Sequence, residues 1–295
     1  MTPVTRIAAT SLLSVLAAAC SSLESTYQAR VRAELEAQPL APAALLQESD
    51  LARLPPPVQR FVRASGAVGR PRVQSLRAEL DAEMYRKPGA APMAATSVQQ
   101  NFLARPTRLF FMKSRMFGLP IQVFHDYAGE RATFRVRVAS LVNIVDEGGE
   151  QFSRVETVTV LNDMCFFAPG SLVDPRLSWE PLDDRSSRVT FTNGRHRVSA
   201  TLSFNERDEL VDFTSDDRPQ LLDGRYLPYR WSTPIEGYRQ LNGLRLPTRG
   251  AAVYAYPEGD FTYGRFQLRS VAHDVAAPPA PCGPTPSAPC STPPP

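Results

Sequence analysis

At 295 residues, with 43% apolar and 21% charged side chains, the chain is long and apolar enough to bury a full core, which excludes a disordered or fibrous protein. A formal charge of +3 is too small, and too evenly spread, for a nucleic-acid partner. Lys87 and Lys113 are the only lysines, so nearly all positive charge is arginine, a compositional bias before it is a sign of phosphate or carboxylate recognition.

Residues 1–19 carry one charge, Arg6, then an apolar stretch over 7–19 that ends in small residues before Cys20. This is the layout of a secretory signal peptide, and the apolar part is well short of the roughly 20 residues a spanning helix needs. Leu16-Ala17-Ala18-Ala19-Cys20 resembles the lipobox of bacterial lipoproteins, with Ala17 standing where that family usually has Leu, Val or Ile. An ordinary signal peptide cut nearby, or a buried helix, is the alternative. The resemblance implies that Cys20 is lipidated and becomes the first residue of the mature chain, which is then held at the membrane by about 0.8 kcal/mol per buried methylene. Ser21 in second place, instead of the Asp that retains many such proteins in the inner membrane, implies the outer membrane, facing the periplasm.

Residues 20–53 read as the lipidated N-terminus and a helical tether. Tyr27, Val31 and Leu35 recur every fourth residue among charges over 24–36, Pro39 and Pro42 interrupt, and a second helical piece is expected over 43–53. Leu54-Pro55-Pro56-Pro57 then starts a helix with Val58, Phe61 and Val62 on one face, stopped by Gly66. Over 73–86 the period changes to two. Leu76, Ala78, Leu80, Ala82 and Met84 alternate with polar residues, the mark of a strand with one wet face. Further strands are expected at 94–104, 108–113, 121–127 and 132–139.

Residues 154–168 read as an inserted helix. Ser153-Arg154-Val155-Glu156 has the capping-box form, and Val155, Val158, Leu161, Cys165 and Ala168 share a face. The β-branched residues over 155–160 leave a strand as the alternative. Strands resume near Trp179, and Asn193-Gly194, Asn242-Gly243 and Pro257-Glu258-Gly259-Asp260 mark hairpins. The expected fold is mainly β (α+β), a curved antiparallel sheet or half-open barrel of about ten strands forming one domain over 54–274. Residues 275–295 hold nine prolines and read as an extended, disordered tail.

Over 54–271 the chain resembles a family of uncharacterised bacterial proteins known only as a domain of unknown function. The likeness is carried by Leu54-Pro55-Pro56-Pro57-Val58-Gln59-Arg60, Phe167-x-Pro169, Trp179-Glu180-Pro181-Leu182-Asp183-Asp184, Thr233-Pro234, Gly243-x-x-x-Pro247-Thr248-x-Gly250 and Pro257-Glu258-Gly259-Asp260-Phe261-x-Tyr263. These are turn and aromatic positions, and they bring no assigned activity. Tryptophans expected near Phe110 and Tyr254 are absent. The layout also looks like the periplasmic lipoprotein carriers and their outer-membrane acceptor, whose half-open barrels hold acyl chains, a likeness of architecture.

No catalytic set, metal site or cofactor motif is expected from the residues. His125 and Asp126 are neighbours on an expected strand, so their side chains leave opposite faces, and His196 and His273 have no neighbours at ligand spacing. Asp183-Asp184 and Asp216-Asp217 are paired carboxylates in expected turns. Cys165, among Met164, Phe166 and Phe167, is a small core hydrophobe. Cys282 and Cys290 are placed for a disulfide in an oxidising compartment. What remains is apolar surface. Leu109-Phe110-Phe111-Met112 is apolar on both faces, which suits a strand covered on one side and lining a cavity on the other. Leu76, Leu80, Met84, Phe110 and Phe111 are the expected lining, with simple core as the alternative for each. The expected function is binding or transfer of a hydrophobic, lipid-like ligand in the envelope. The alternatives are an assembly lipoprotein that docks an envelope protein by a sheet edge or the Pro-rich tail, and a hydrolase using carboxylates near Asp183.

Overall fold

The computed structural model describes residues 22–139, 142–222 and 224–276. The expected signal peptide, Cys20, Ser21, Cys282 and Cys290 lie outside the described residues. Helices α1 (Leu23–Ala37) and α2 (Pro56–Ala64) come first, with a 3-10 turn at Glu48–Arg53 between them. Strands β1 to β6 are Ser75–Met84, Met93–Phe102, Thr107–Met116, Leu119–Ala128, Arg131–Val138 and Val142–Gly148. Helix α3 (Glu150–Phe167) leads to β7 to β10 at Leu177–Asp183, Ser186–Asn193, His196–Phe204 and Leu210–Ser215. Six short pieces follow, β11 to β16, at Gln220–Leu222, Arg225–Leu227, Trp231–Ser232, Ile235–Glu236, Arg239–Leu241 and Leu244–Leu246. The hairpin of β17 (Arg249–Tyr256) and β18 (Gly259–His273) closes the series.

Fourteen of these strands form one antiparallel sheet in the order β6-β5-β4-β3-β2-β1-β18-β17-β13-β10-β9-β8-β7, with β14 also on β17. Two meanders therefore meet where β1 pairs with β18, and β6 and β7 are left as open edges. Helix α3 joins those two edges, so the chain has to cross the hollow of the curved sheet to connect them. That path explains why α3 is buried from Phe152 to Phe167 except at Arg154. The sheet curls far enough for its two halves to touch. Asn193 Nδ2, at the β8–β9 turn, donates to Tyr127 Oη at 2.7 Å, and His196 Nε2 lies 2.9 Å from the Glu130 carbonyl.

This is the mainly β, curved, open antiparallel architecture the alternation implies. The strand count is higher than the ten expected because β11 to β16 are two or three residues each, too short to show a period. The Asn242-Gly243 turn has both residues at positive φ (51° and 79°), the conformation for which that dipeptide is suited.

Two local expectations need correction. The capping box at Ser153 does not form: α3 begins a turn earlier, capped by Gly149 at φ 95°. Ser153 Oγ instead donates to the Gly149 carbonyl (2.6 Å) and accepts from the Ala132 amide (2.9 Å), tying the helix to β5. Residues 43–53 are helical only at Glu48–Arg53. Upstream, Leu46 exchanges backbone hydrogen bonds with Gly69 and Arg70, both at 2.8 Å, and those partners hold the chain extended.

Helix α1, expected as a tether, is part of the packed structure. Its apolar stripe of Leu23, Tyr27 and Val31 covers Leu109, Phe111 and Phe124 on the outer face of β3 and β4. Tyr27 stacks on Phe111 at 5.6 Å and meets Phe124 edge-on at 5.9 Å. Arg30 bridges Asp126 at 2.8 Å and Glu34 at 3.0 Å. Replacing Tyr27 with alanine is expected to cost about 3 kcal/mol, since it opens a void over two rings. That corresponds to roughly 6–12 °C in thermal midpoint for a chain of this size. An unchanged midpoint would mean that α1 does not hold to the sheet.

Candidate functional site

Between α3 and the concave face of the sheet lies a cavity of about 540 Å³. Its apolar wall is sorted by the period of two. On β3, Leu109 and Phe111 point out beneath α1, while Phe110 and Met112 point in. Leu80 and Met84 from β1, Val123 from β4 and Phe134 from β5 extend the same apolar wall. Phe152 and Phe166 of α3 face it, and Phe261 and Phe266 of β18 close one side.

The opposite part of the wall is polar, and α3 supplies it. Glu156, Thr159, Asn162 and Asp163 recur at helical spacing and so share one face, which looks into the cavity. Asp163 Oδ2 accepts from Arg108 Nε (2.7 Å), Asn101 Nδ2 (2.9 Å) and Gln99 Nε2 (3.2 Å). Arg218, from the β10–β11 connection, donates to Tyr254 Oη (2.6 Å) and Thr159 Oγ1 (3.1 Å) and lies 4.4 Å over the Trp231 ring. Its second terminal nitrogen reaches Glu156 Oε1 at 3.5 Å. Glu156 Oε2 sits 3.5 Å from His125 Nδ1 and 3.7 Å from Arg108.

These groups set one another's charge. Burial pushes the His125 imidazole below its ordinary 6.5 and outweighs the pull of Glu156, so the ring is neutral near pH 7. Burial opposes ionisation of Glu156, but His125 once protonated, Arg218 and Arg108 outweigh it and hold its carboxyl at about 2. The 21% of the His125 side chain that stays accessible faces the cavity it lines. Two guanidiniums, two carboxylates and a neutral imidazole therefore form a charge-balanced patch in an otherwise apolar hollow.

Of the five residues expected to line a cavity, Leu80, Met84 and Phe110 do so. Leu76 is fully buried in the main core, and Phe111 lies on the outer face under α1. Phe111 is displaced for the same reason that Phe110 is placed, since neighbours on a strand face opposite sides. His125 and Asp126 part in the same way: His125 looks inward at Glu156, and Asp126 looks outward at Arg30. Asp183 is spent on its own turn, accepting from the Arg185 amide (2.8 Å) and Ser186 Oγ (2.7 Å). Asp216 pairs with Arg230 (2.9 Å) and Asp217 with Arg154 (2.6 Å), away from the cavity. Cys165 is a buried free thiol, its pKa raised by burial.

The polar patch is what sequence reasoning missed. Its signal is the recurrence Glu156, Thr159, Asn162, Asp163 along an otherwise apolar helix, but Glu156 also fits a cap by spacing. Arg108 and Arg218 carried no local signal.

The model of a family of unknown function, DUF6544, matches residues 9–266. A search of curated proteins gives no match. Among solved structures, the chain is similar to a domain from Vibrio parahaemolyticus described as an outer membrane lipoprotein-sorting protein domain. Identity is 7%, with 68% of this chain and 85% of that one covered and a TM-score of 0.40. It is also similar to a LolA superfamily protein from Nitrosomonas europaea, at 12% identity over 72% of this chain and 92% of that one, again with a TM-score of 0.40.

Proposed function

The chain belongs to DUF6544, a family of unknown function, and we propose that it binds or passes on a lipid-like molecule in the bacterial envelope, held at the membrane by lipid on Cys20 and facing the periplasm. The observation that carries this reading is the apolar wall of Leu80, Met84, Phe110, Met112 and Val123 around 540 Å³ of space. That volume falls within the roughly 300–1,000 Å³ of pockets that take small ligands. Each methylene buried there contributes about 0.8 kcal/mol, so a medium-length alkyl chain supplies enough binding energy for a carrier. Among the described residues no helix is long and apolar enough to cross a membrane. A lipid on Cys20 would supply the attachment.

Native mass spectrometry of the full chain carrying Cys20→Ser tests the reading, because no lipid attached to the chain itself is then counted. A discrete lipid adduct is expected. Leu80→Trp, which projects a bulky ring into the hollow, is expected to abolish the adduct while the thermal midpoint stays within a few degrees. A clean protein mass with lipid on offer would sink the reading. Docking of an envelope protein would then come first, with exposed Val142 and Ile144 on the edge strand β6 as the available surface.

A further inference from the structure

Resting on the lipid-binding reading of the same cavity, we infer that the ligand is an amphiphile whose polar end is uncharged and donates a hydrogen bond, through a hydroxyl or amide, to Glu156 beside His125. The charge-balanced patch disfavours the charged alternatives. Arg108 and Arg218 are the cations a fatty-acid carboxylate would seek, but Arg108 is engaged by Asp163 at 2.7 Å and Arg218 by Tyr254 and Thr159 at 2.6 and 3.1 Å. A second anion would also have to enter beside Glu156, in a region of low dielectric. A cationic head would meet the same two guanidiniums.

The same wall offers an address for an uncharged head. Glu156 Oε2 is buried and accepts no hydrogen bond from the protein, its side chain being only 3% exposed. His125 Nδ1, 3.5 Å away, has no hydrogen-bond partner either. Buried acceptors and ring nitrogens are ordinarily satisfied, so two adjacent exceptions on a cavity wall mark a place where a ligand completes the set. A hydroxyl fits both atoms: it donates to Oε2 and bonds Nδ1 as donor or acceptor according to the imidazole tautomer. The alkyl chain would then run along Phe110, Met112 and Val123, the apolar neighbours of this address.

The test compares three amphiphiles of equal chain length against the full Cys20→Ser chain: monolauroylglycerol, laurate and dodecyltrimethylammonium, each displacing a neutral fluorescent probe at pH 7. Monolauroylglycerol is expected to bind at least about tenfold tighter than either charged probe, the size of a modest electrostatic penalty. In Glu156→Gln, which leaves the two arginines in excess, laurate is expected to gain about tenfold relative to monolauroylglycerol. Laurate binding the native chain as tightly as monolauroylglycerol would overturn the inference and leave the lipid-binding reading standing. Failure of all three to bind would remove both. The comparison on the native chain decides the matter even if Glu156→Gln does not fold.

Discussion

Replacing Asp163 with alanine is expected to lower the unfolding free energy by about 3–5 kcal/mol, the range for removing one partner of a buried charge pair. The loss is large because Asp163 serves three donors at once. Arg108 Nε, Asn101 Nδ2 and Gln99 Nε2 all lie within 3.2 Å of its Oδ2, on β3 and β2, and each amide nitrogen makes its hydrogen bond there. Without the carboxylate, two amides lose their acceptor and Arg108 keeps only its longer ion-pair contact to Glu156 at 3.7 Å, in a low-dielectric wall between helix and sheet. Asp163→Asn keeps one acceptor oxygen and is expected to lose about half as much. Denaturant unfolding of the two variants checks this. A loss below about 1 kcal/mol for Asp163→Ala would mean that water entering the cavity solvates Arg108 as well as Asp163 does.

The second large effect is on acid stability. Glu156 sits at about 2 in the folded chain against an ordinary 4.5, so its contribution is complete above pH 4.5 and is lost as pH falls toward 2. A shift of that size is worth on the order of 3 kcal/mol. His125 acts in the same direction from higher pH. Its folded value lies below 6.5, so beneath that pH the unfolded chain takes up a proton that the buried ring resists. The groups facing Glu156 are His125 from β4, Arg108 from β3 and Arg218 from the β10–β11 connection. The urea midpoint is therefore expected to decline from about pH 6.5 downward and to steepen below pH 4.5. In Glu156→Gln the segment below pH 4.5 should flatten, although the variant is less stable at neutral pH. Parallel curves for the two proteins would show that the Glu156 carboxylate is not held by the arginines.

Much of the sheet was legible because its strands have one wet face. Leu76, Ala78, Leu80, Ala82 and Met84 alternate with charged or polar residues, and the structure runs β1 from Ser75 to Met84. Hairpin dipeptides placed the turns between β8 and β9 and between β15 and β16. The two-residue strands β13 and β14 were not legible, because no period can be read from two residues, and they exist through pairing with β17. The start of α3 was misplaced because Ser153 and Glu156 fit a cap by spacing alone. In the fold the serine bonds backward to Gly149, and the glutamate faces His125, Arg108 and Arg218, which are 31, 48 and 62 residues away in sequence.

What the sequence determined by itself is local: which side chains alternate, where the chain turns, and that β3 is apolar on both faces. Alternation settles that Phe110 and Phe111 part company, as it does for His125 and Asp126, because adjacent strand residues face opposite sides whatever surrounds them. Which of the two faces becomes a cavity was decided only by the tertiary structure. Helix α1 returns to bury Leu109 and Phe111, leaving Phe110 and Met112 to the hollow. The charge-balanced patch is tertiary in the same sense. Arg108, His125, Glu156, Asp163 and Arg218 come from four separate segments, and their coupling depends on distances that appear only when α3 crosses the curled sheet.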